Sequence, residues 1–176
     1  MTRAHVMIDR NARELEQFAA SELGRYLREC FGAEVSIGSE AVDSAEVLFL
    51  LGSPATNHAV RLATARRAFP KVSEQGLVLR RIRYRGRRSF LVGGGSPRAT
   101  LWSVYELAER WGVRFLLHAD VIPRRRSLWL PDVNDAMEPE FPIRQWRVVN
   151  DFACGPESWG IADYRQIGRA SCRERV

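Results

Sequence analysis

Residues 93–123, GGGSPRATLWSVYELAERWGVRFLLHADVIP, decide the fold of this 176-residue chain. Three glycines lead into Ser96-Pro97, a serine suited to cap a helix followed by a proline suited to its first turn. Leu101, Val104, Tyr105, Ala108 and Trp111 then recur on one helical face, and Gly112 supplies a left-handed stop. Residues 113–117 follow as a short apolar strand. A glycine junction, an amphipathic helix and a strand in that order form a repeating unit of an α/β domain.

The preceding sequence has the same texture. Residues 5–8 suit a strand, and 9–11 break it. Leu15, Phe18, Ala19, Leu23, Tyr26, Leu27 and Cys30 lie at helical spacing, and Gly32 ends that helix. Residues 34–37 alternate as a strand does, while 46–51, EVLFLL, is the continuous apolar run of a strand covered on both faces. Gly52-Ser53-Pro54 ends it. A weaker helix is expected over 57–69, stopped by Pro70. Residues 76–84 and 89–92, separated by Arg85-Gly86-Arg87, read as a β-hairpin. Residues 122–131 suit an edge loop or short strand, with Arg124, Arg125 and Arg126 at a turn. The expected order, β-α-β-β-α-β-β-α-β, gives a layered α/β domain with a mixed sheet.

From 131 to 142 the sequence PDVNDAMEPEFP carries three prolines and four acids and reads as a linker. Beyond it, 143–149 is strand-like, 150–155 loop-like, and a helix begins near Glu157. The expected division is an N-terminal α/β accessory domain over 1–136 and the opening strand, loop and helix of a second α/β domain over 137–166.

The last ten residues, IGRASCRERV, lack apolar periodicity. One permitted codon choice for them, ATC GGA AGA GCG TCG TGT AGG GAA AGA GTG, resembles a common short-read sequencing adapter throughout. Residues 167–176 are therefore expected to be an adapter-derived artefact, to be excluded from fold reasoning, and the chain to be an N-terminal fragment.

That reading alters the charge. The formal net charge is +6, but the tail supplies three arginines against one glutamate, which leaves +4 over the first 166 residues. Lys71 is the only lysine, so the basicity is arginine throughout, the codon bias of a GC-rich genome rather than a sign of nucleic-acid binding. Without Cys172, the cysteines are Cys30 and Cys154. They form neither a disulfide framework nor a zinc pattern. A composition of 45% hydrophobic and 10% aromatic residues suits a globular core. No apolar run approaches the roughly 20 residues of a membrane span, and the start, MTRAHVMIDRNARELEQ, shows no signal-peptide pattern. Compartment is left open.

Several stretches invite a chemical reading. The glycines Gly93, Gly94 and Gly95 between a strand and a helix suggest phosphate binding, but the dinucleotide fingerprint needs a small residue where Arg98 stands, and no Gly-Lys-Ser/Thr occurs. A tight structural turn is expected instead. His118 and Asp120 do not complete a metal site. Trp102, Tyr105 and Trp111 are expected in the core, and the arginines between Arg80 and Arg88 on a solvated face. A richer group follows the linker: Arg144, Trp146, Arg147, Asn150, Asp151, Glu157 and Trp159. Acids, amides and guanidinium groups satisfy sugar hydroxyls, and indole faces cover a pyranose ring. The alternative for Trp146 and Arg147 is packing or pairing at a domain interface.

The stretch from Gly93 to Pro123 resembles the helix–strand core of the non-catalytic N-terminal domain that precedes the catalytic barrel in family 67 alpha-glucuronidases and family 20 beta-N-acetylhexosaminidases. Leu101, Val104, Tyr105, Leu107, Ala108, Gly112, Val113, Arg114 and Phe115 carry the likeness, with Thr100 where the pattern has glycine. PEFPIRQWRVVNDFACGPESWGIADYRQ is similar to the start of the barrel, with Gln145 where a glycine is usual. The resemblance implies an α/β accessory module ahead of a truncated (β/α)8 barrel, a saccharide substrate and no cofactor or metal. Arg144 matches the arginine that contacts sugar in hexosaminidases, and Asn150, Asp151 and Trp159 are grouped with it as substrate-binding candidates. No catalytic residue is expected in this chain, because the family's acids stand on later barrel strands and hydrolysis needs a positioned pair. Neither nucleic acid nor membrane is an expected partner. The alternative functions are a carbohydrate-binding or interaction module and, lower, a nucleotide-dependent enzyme.

Overall fold

The computed structural model describes residues 1–116, 119–144 and 159–164. Five residues of each early strand build a sheet that the rest of the chain covers. β1 (Arg3–Met7) leads into α1 (Glu14–Phe31), which returns the chain to β2 (Glu34–Gly38). β3 (Val47–Leu51) is followed by a single-turn-and-a-half helix, α2 (His58–Ala63), and then by the hairpin β4 (Leu77–Tyr84) and β5 (Arg87–Gly94). α3 (Pro97–Arg110) precedes the small strands β6 (Arg114–Phe115) and β7 (Asp120–Val121), and β8 (Asn134–Met137) closes the described order.

The strands form a six-stranded sheet in the order β2-β1-β3-β5-β4-β8, with β6 and β7 paired apart from it. β2, β1, β3 and β5 run parallel; at one side β4 is antiparallel to β5, and β8 is in turn antiparallel to β4. Mixed character follows from the hairpin, because a two-residue turn at Arg85-Gly86 reverses the chain. Both turn residues have positive φ, 50° and 76°, as a type I′ connection requires.

The continuous apolar run of β3 is explained by its central place. Val47, Phe49 and Leu51 face the core beneath α1 and α3, whereas Leu48 and Leu50 face a second core with Ala59 and Val60 of α2. All five residues are buried, so alternation of polar and apolar side chains would have exposed nothing and served nothing. Three layers result, helix on sheet on helix.

The larger core is aromatic. Trp111 is completely buried, edge-to-face with Phe31 at 5.1 Å and with Phe49 at 6.2 Å, and its indole N–H donates to the Trp129 carbonyl at 3.1 Å. Tyr26 and Tyr105 lean on Phe115 at 6.1 and 5.5 Å. Polar tips of this cluster meet charges at its margin: Asp120 Oδ2 accepts from Tyr26 at 3.0 Å and from Arg25 at 3.1 Å. Burying such rings gives most of the stability of a core of this size.

Four sequence expectations need revision. α2 ends at Ala63 with Thr64 as C-cap, not at Phe69, and the Ala68 carbonyl beyond it accepts from Arg80 at 3.0 Å. The strand expected over 113–117 is only Arg114–Phe115 in its described part. The proline-rich stretch read as a linker contains β8, which pairs with β4 from Leu77↔Met137 to Arg80↔Asn134. The glycines read as a tight turn are extended: Gly93 and Gly94 belong to β5. Their bareness serves close approach, since a Cβ on Gly93 would overlap the Gly52 carbonyl and one on Gly95 the Ser73 carbonyl.

Candidate functional site

The segment after β8 is tied back to the sheet before it leaves the described region. Ser73 donates to Glu138 from both its main-chain N–H and its hydroxyl, each at 2.6 Å. Gln75 Nε2 donates to the Pro142 carbonyl at 2.8 Å. These bonds deliver Arg144 to the N-terminal end of α3, where its guanidinium stands 5.5 Å from the Trp102 ring centroid and donates to the Phe141 carbonyl at 2.6 Å. A cation over an indole face is attractive through the ring quadrupole.

Two clefts meet at this Arg144–Trp102 pair. The larger, about 600 Å³, is bounded by Arg13, Leu15, Ser96, Pro97 and Arg98. The smaller, about 310 Å³, runs past Leu77, Met137, Glu140 and Phe141. Phe141 and Ile143 are exposed there, giving the surface an apolar component beside its charges. Indole, guanidinium, amide and carboxylate groups on one concave surface are the groups that receive a hydroxylated ligand or a facing domain. Glu138 is held by Ser73, and among the described residues no group of three or more His, Cys, Asp or Glu side chains is placed to hold a metal.

The glycine junction nearby is closed by its own structure. Ser96 Oγ accepts from Ala99 N at 3.2 Å and donates to the Glu74 carbonyl at 2.6 Å, while Gly95 N donates to the Gly76 carbonyl at 3.0 Å. The residues 73–76 therefore occupy the side from which a phosphate would approach the glycines.

Of the four residues singled out for sugar contact, Arg144 and Trp159 are described. Arg144 meets Trp102; Trp159 meets Tyr164 edge-to-face at 5.8 Å. Tyr164 belongs to one helical turn, in which Gly160 N donates to Asp163 Oδ2 at 2.9 Å, half of a capping box. Asn150 and Asp151 lie outside the described residues, as do Trp146, Arg147, Glu157 and His118. Trp102 was assigned to the core from its spacing, and it is indeed buried; that its ring also lines the clefts needs the fold of residues 138–144, which no spacing reveals.

The N-terminal domain model of glycosyl hydrolase family 67 matches residues 2–107, more than half of the chain. The chain belongs to that family. The match takes in β1 to β5, α1, α2 and most of α3, and the chain stands as a non-catalytic domain of a glycoside hydrolase. Among solved structures, a family GH115 4-O-methyl-alpha-glucuronidase with specificity for decorated arabinogalactans superposes with a TM-score of 0.70 at 12% identity, over 99% of this chain and 24% of that one. The chain thus spans about a quarter of that enzyme's length, and the likeness at this identity is one of fold. An N-acetyl-beta-hexosaminidase of Streptomyces plicatus gives a TM-score of 0.40 at 14% identity, over 75% of this chain and 20% of that one. No curated protein matches the sequence.

Three arginines of the family 67 domain's hairpin are structural in a way their spacing did not suggest, whereas Arg83, Arg85 and Arg88 are exposed, as expected of a solvated face. Arg80 is buried, Arg81 Nε donates to the Pro131 carbonyl at 2.7 Å, and Arg87 donates to the Val42 and Asp43 carbonyls at 2.9 and 2.7 Å. They tether loops to the sheet. Each such bond satisfies a carbonyl that has no strand partner.

Proposed function

We propose that this chain is the accessory domain of an enzyme that removes uronic acid units from plant-type polysaccharides, with residues 137–166 opening a catalytic (β/α)8 barrel. The observation that carries the proposal is the family 67 match over residues 2–107. A second support is the fold likeness to a glucuronidase of which this chain spans 24%, leaving ample length for a barrel in an enzyme of that kind. The domain's own part is to bury the outer surface of the barrel's first strands. The concave surface at Trp102 and Arg144, with Phe141 and Ile143 exposed beside it, suits that contact.

In this reading Asn150, Asp151 and Trp159 contribute hydrogen bonds and an indole face to the bound sugar at the end of the barrel where strands present their residues, and Arg144, near the start of the first strand, joins them as the counterpart of the arginine that contacts sugar in hexosaminidases. The hydrolytic acid and its partner carboxylate belong to later strands. The chain alone therefore binds no transition state. Incubation of the 176-residue protein with aryl glucuronides and aryl N-acetylglucosaminides is expected to give no turnover above buffer, while the complete gene product cleaves glucuronate-decorated oligosaccharides. In that complete enzyme, Arg144→Ala is expected to lower kcat/KM at least tenfold. Turnover by the short chain, or an Arg144→Ala enzyme with unchanged kcat/KM, would contradict the assignment.

A further inference from the structure

The sheet reverses its order of construction between β1 and β3. From β1 the chain passes through α1 to β2 on one side; from β3 it passes through α2 toward β4 and β5 on the other. α1 lies over one face and α2 over the opposite face, so the connections leaving these two neighbouring parallel strands diverge. A crevice outside the carboxyl ends of such strands is where open α/β sheets take ligands. Here it is a cleft of about 290 Å³ lined by residues that follow β1 (Asp9, Asn11, Arg13) and β3 (Thr56, Asn57, His58). A neighbouring cleft of about 470 Å³ shares Asp9, Asn11, Asn57 and His58 and adds Tyr84.

Its walls are fixed in place. Asp9 Oδ1 accepts from Asn11 N at 3.0 Å and Oδ2 from His58 N at 3.2 Å, bonds that hold its carboxyl below the usual carboxylate range. Asn57 Nδ2 joins the last carbonyls of both strands, Met7 at 3.0 Å and Leu51 at 2.8 Å. One group is left without a partner. Glu16, only 2% exposed, uses Oε2 to accept from Arg13 N at 3.4 Å, whereas Oε1 has no hydrogen-bond partner among the described residues. Glu16 is among the residues that line the smaller cleft, and its Oε1 is 3.2 Å, and Thr56 Oγ1 2.9 Å, from where a Cβ on Gly52 would stand. A buried acceptor without a donor is costly unless something entering the cleft supplies one.

The surrounding chemistry selects what that is. A divalent cation would want three or more anionic or imidazole ligands, and the described residues nowhere group three, while Arg13 and Arg61 flank the cleft. An anion would face Asp9 and buried Glu16. A neutral ligand with several hydroxyls donates to the carboxylates and accepts from the guanidinium and amide groups at once. We infer that the crevice at the carboxyl ends of β1 and β3 is a binding site for a neutral, monosaccharide-sized polyhydroxylated ligand, with Glu16 Oε1 as its deepest acceptor. This site stands on the opposite argument from the barrel reading and does not depend on it.

The test is a titration of the ¹⁵N-labelled 176-residue protein, followed by amide shifts, with D-glucose, D-xylose, calcium chloride and sodium phosphate in separate arms. Saturable shifts with a neutral sugar, confined to residues 9–16 and 52–58, are expected, with a Kd on the order of 1 mM. Glu16→Gln, which keeps a residue competent for the capping box, is expected to weaken binding about tenfold, equivalent to about 1.4 kcal/mol. If that variant does not fold, Asn11→Ala, altered only at an exposed side chain, is expected to weaken it about threefold by loss of one hydrogen bond. Absence of saturation with both sugars, a response to calcium or phosphate alone, unchanged affinity in folded Glu16→Gln, or in Asn11→Ala where it replaces that test, would overturn the inference. Shifts confined to residues 141–164 would also overturn it and would instead support sugar contact at Arg144.

Discussion

Asn57 donates its side-chain amide to the main-chain carbonyl of Met7, 50 residues earlier, at 3.0 Å. The same nitrogen donates to the Leu51 carbonyl at 2.8 Å, and Oδ1 caps α2 by accepting from Ala59 N at 2.8 Å. One buried amide thus fastens the ends of two strands and starts a helix. Replacing Asn57 by Ala is expected to cost about 3 kcal/mol, from unsatisfied buried carbonyls and a lost cap. In thermal unfolding this lowers Tm by about 6–12 °C. Asn57→Asp keeps the cap acceptor but sets a buried carboxylate oxygen against both carbonyls, so its Tm should fall at least as far as that of Asn57→Ala.

Trp111 tests the aromatic core. Trp111→Ala removes a fully buried indole that touches Phe31 and Phe49 and is expected to cost about 3–5 kcal/mol. Trp111→Phe keeps a ring but leaves the Trp129 carbonyl without its donor, for a smaller loss of about 1–3 kcal/mol. Urea unfolding of the two variants checks the order.

Gly95 and Gly86 separate two uses of glycine. A Cβ on Gly95 would overlap a main-chain oxygen, whereas one on Gly86 would meet nothing within 4 Å, although its φ of 76° disfavours a side chain. Gly95→Ala is therefore expected to destabilise by overpacking, about 1–3 kcal/mol, and Gly86→Asn, a residue that tolerates positive φ, by less than about 1 kcal/mol. Chemical denaturation of both distinguishes steric approach from backbone conformation.

His5 gives the domain a pH dependence. It is buried in β1 with Nδ1 at 2.7 Å from Ser36 Oγ, and burial pushes its pKa down from 6.5, partly offset by a hydrogen bond with the Glu40 main chain. Because the folded state holds the proton less tightly than the unfolded chain, the contribution of His5 is complete above pH 6.5 and is lost as pH falls from there through the folded-state value. Stability measured from pH 8 to pH 5 (about two units below the physiological range) should decline, and His5→Gln should flatten that decline. A His5→Gln protein with an unchanged pH slope would assign the decline to other groups.

What the sequence revealed depended on whether a residue's role was local. α1, with its repeat from Leu15 to Cys30 and Gly32 at φ 61°, was legible because period and stop belong to consecutive residues. The run at Val47–Leu51 was legible because burial on both faces removes alternation. β8 was not: as an edge strand its residues alternate between exposed and half-buried, so it carries no apolar signature, and only pairing with β4 makes it a strand. The tethering roles of Arg81 and Arg87 were hidden because their acceptors, the carbonyls of residues 42, 43, 130 and 131, are distant in sequence. The cleft that Glu16 helps line was not legible either, because it depends on β1 and β3 being neighbours, which strand order alone discloses.

The central claim, that this is the accessory domain of a larger glycoside hydrolase, is tested most directly by sequencing the source DNA across and beyond codon 166. The account predicts an open frame that departs from IGRASCRERV after Gln166 and continues for several hundred codons into a barrel bearing paired carboxylates on its later strands. A native stop codon directly after Val176 would contradict it.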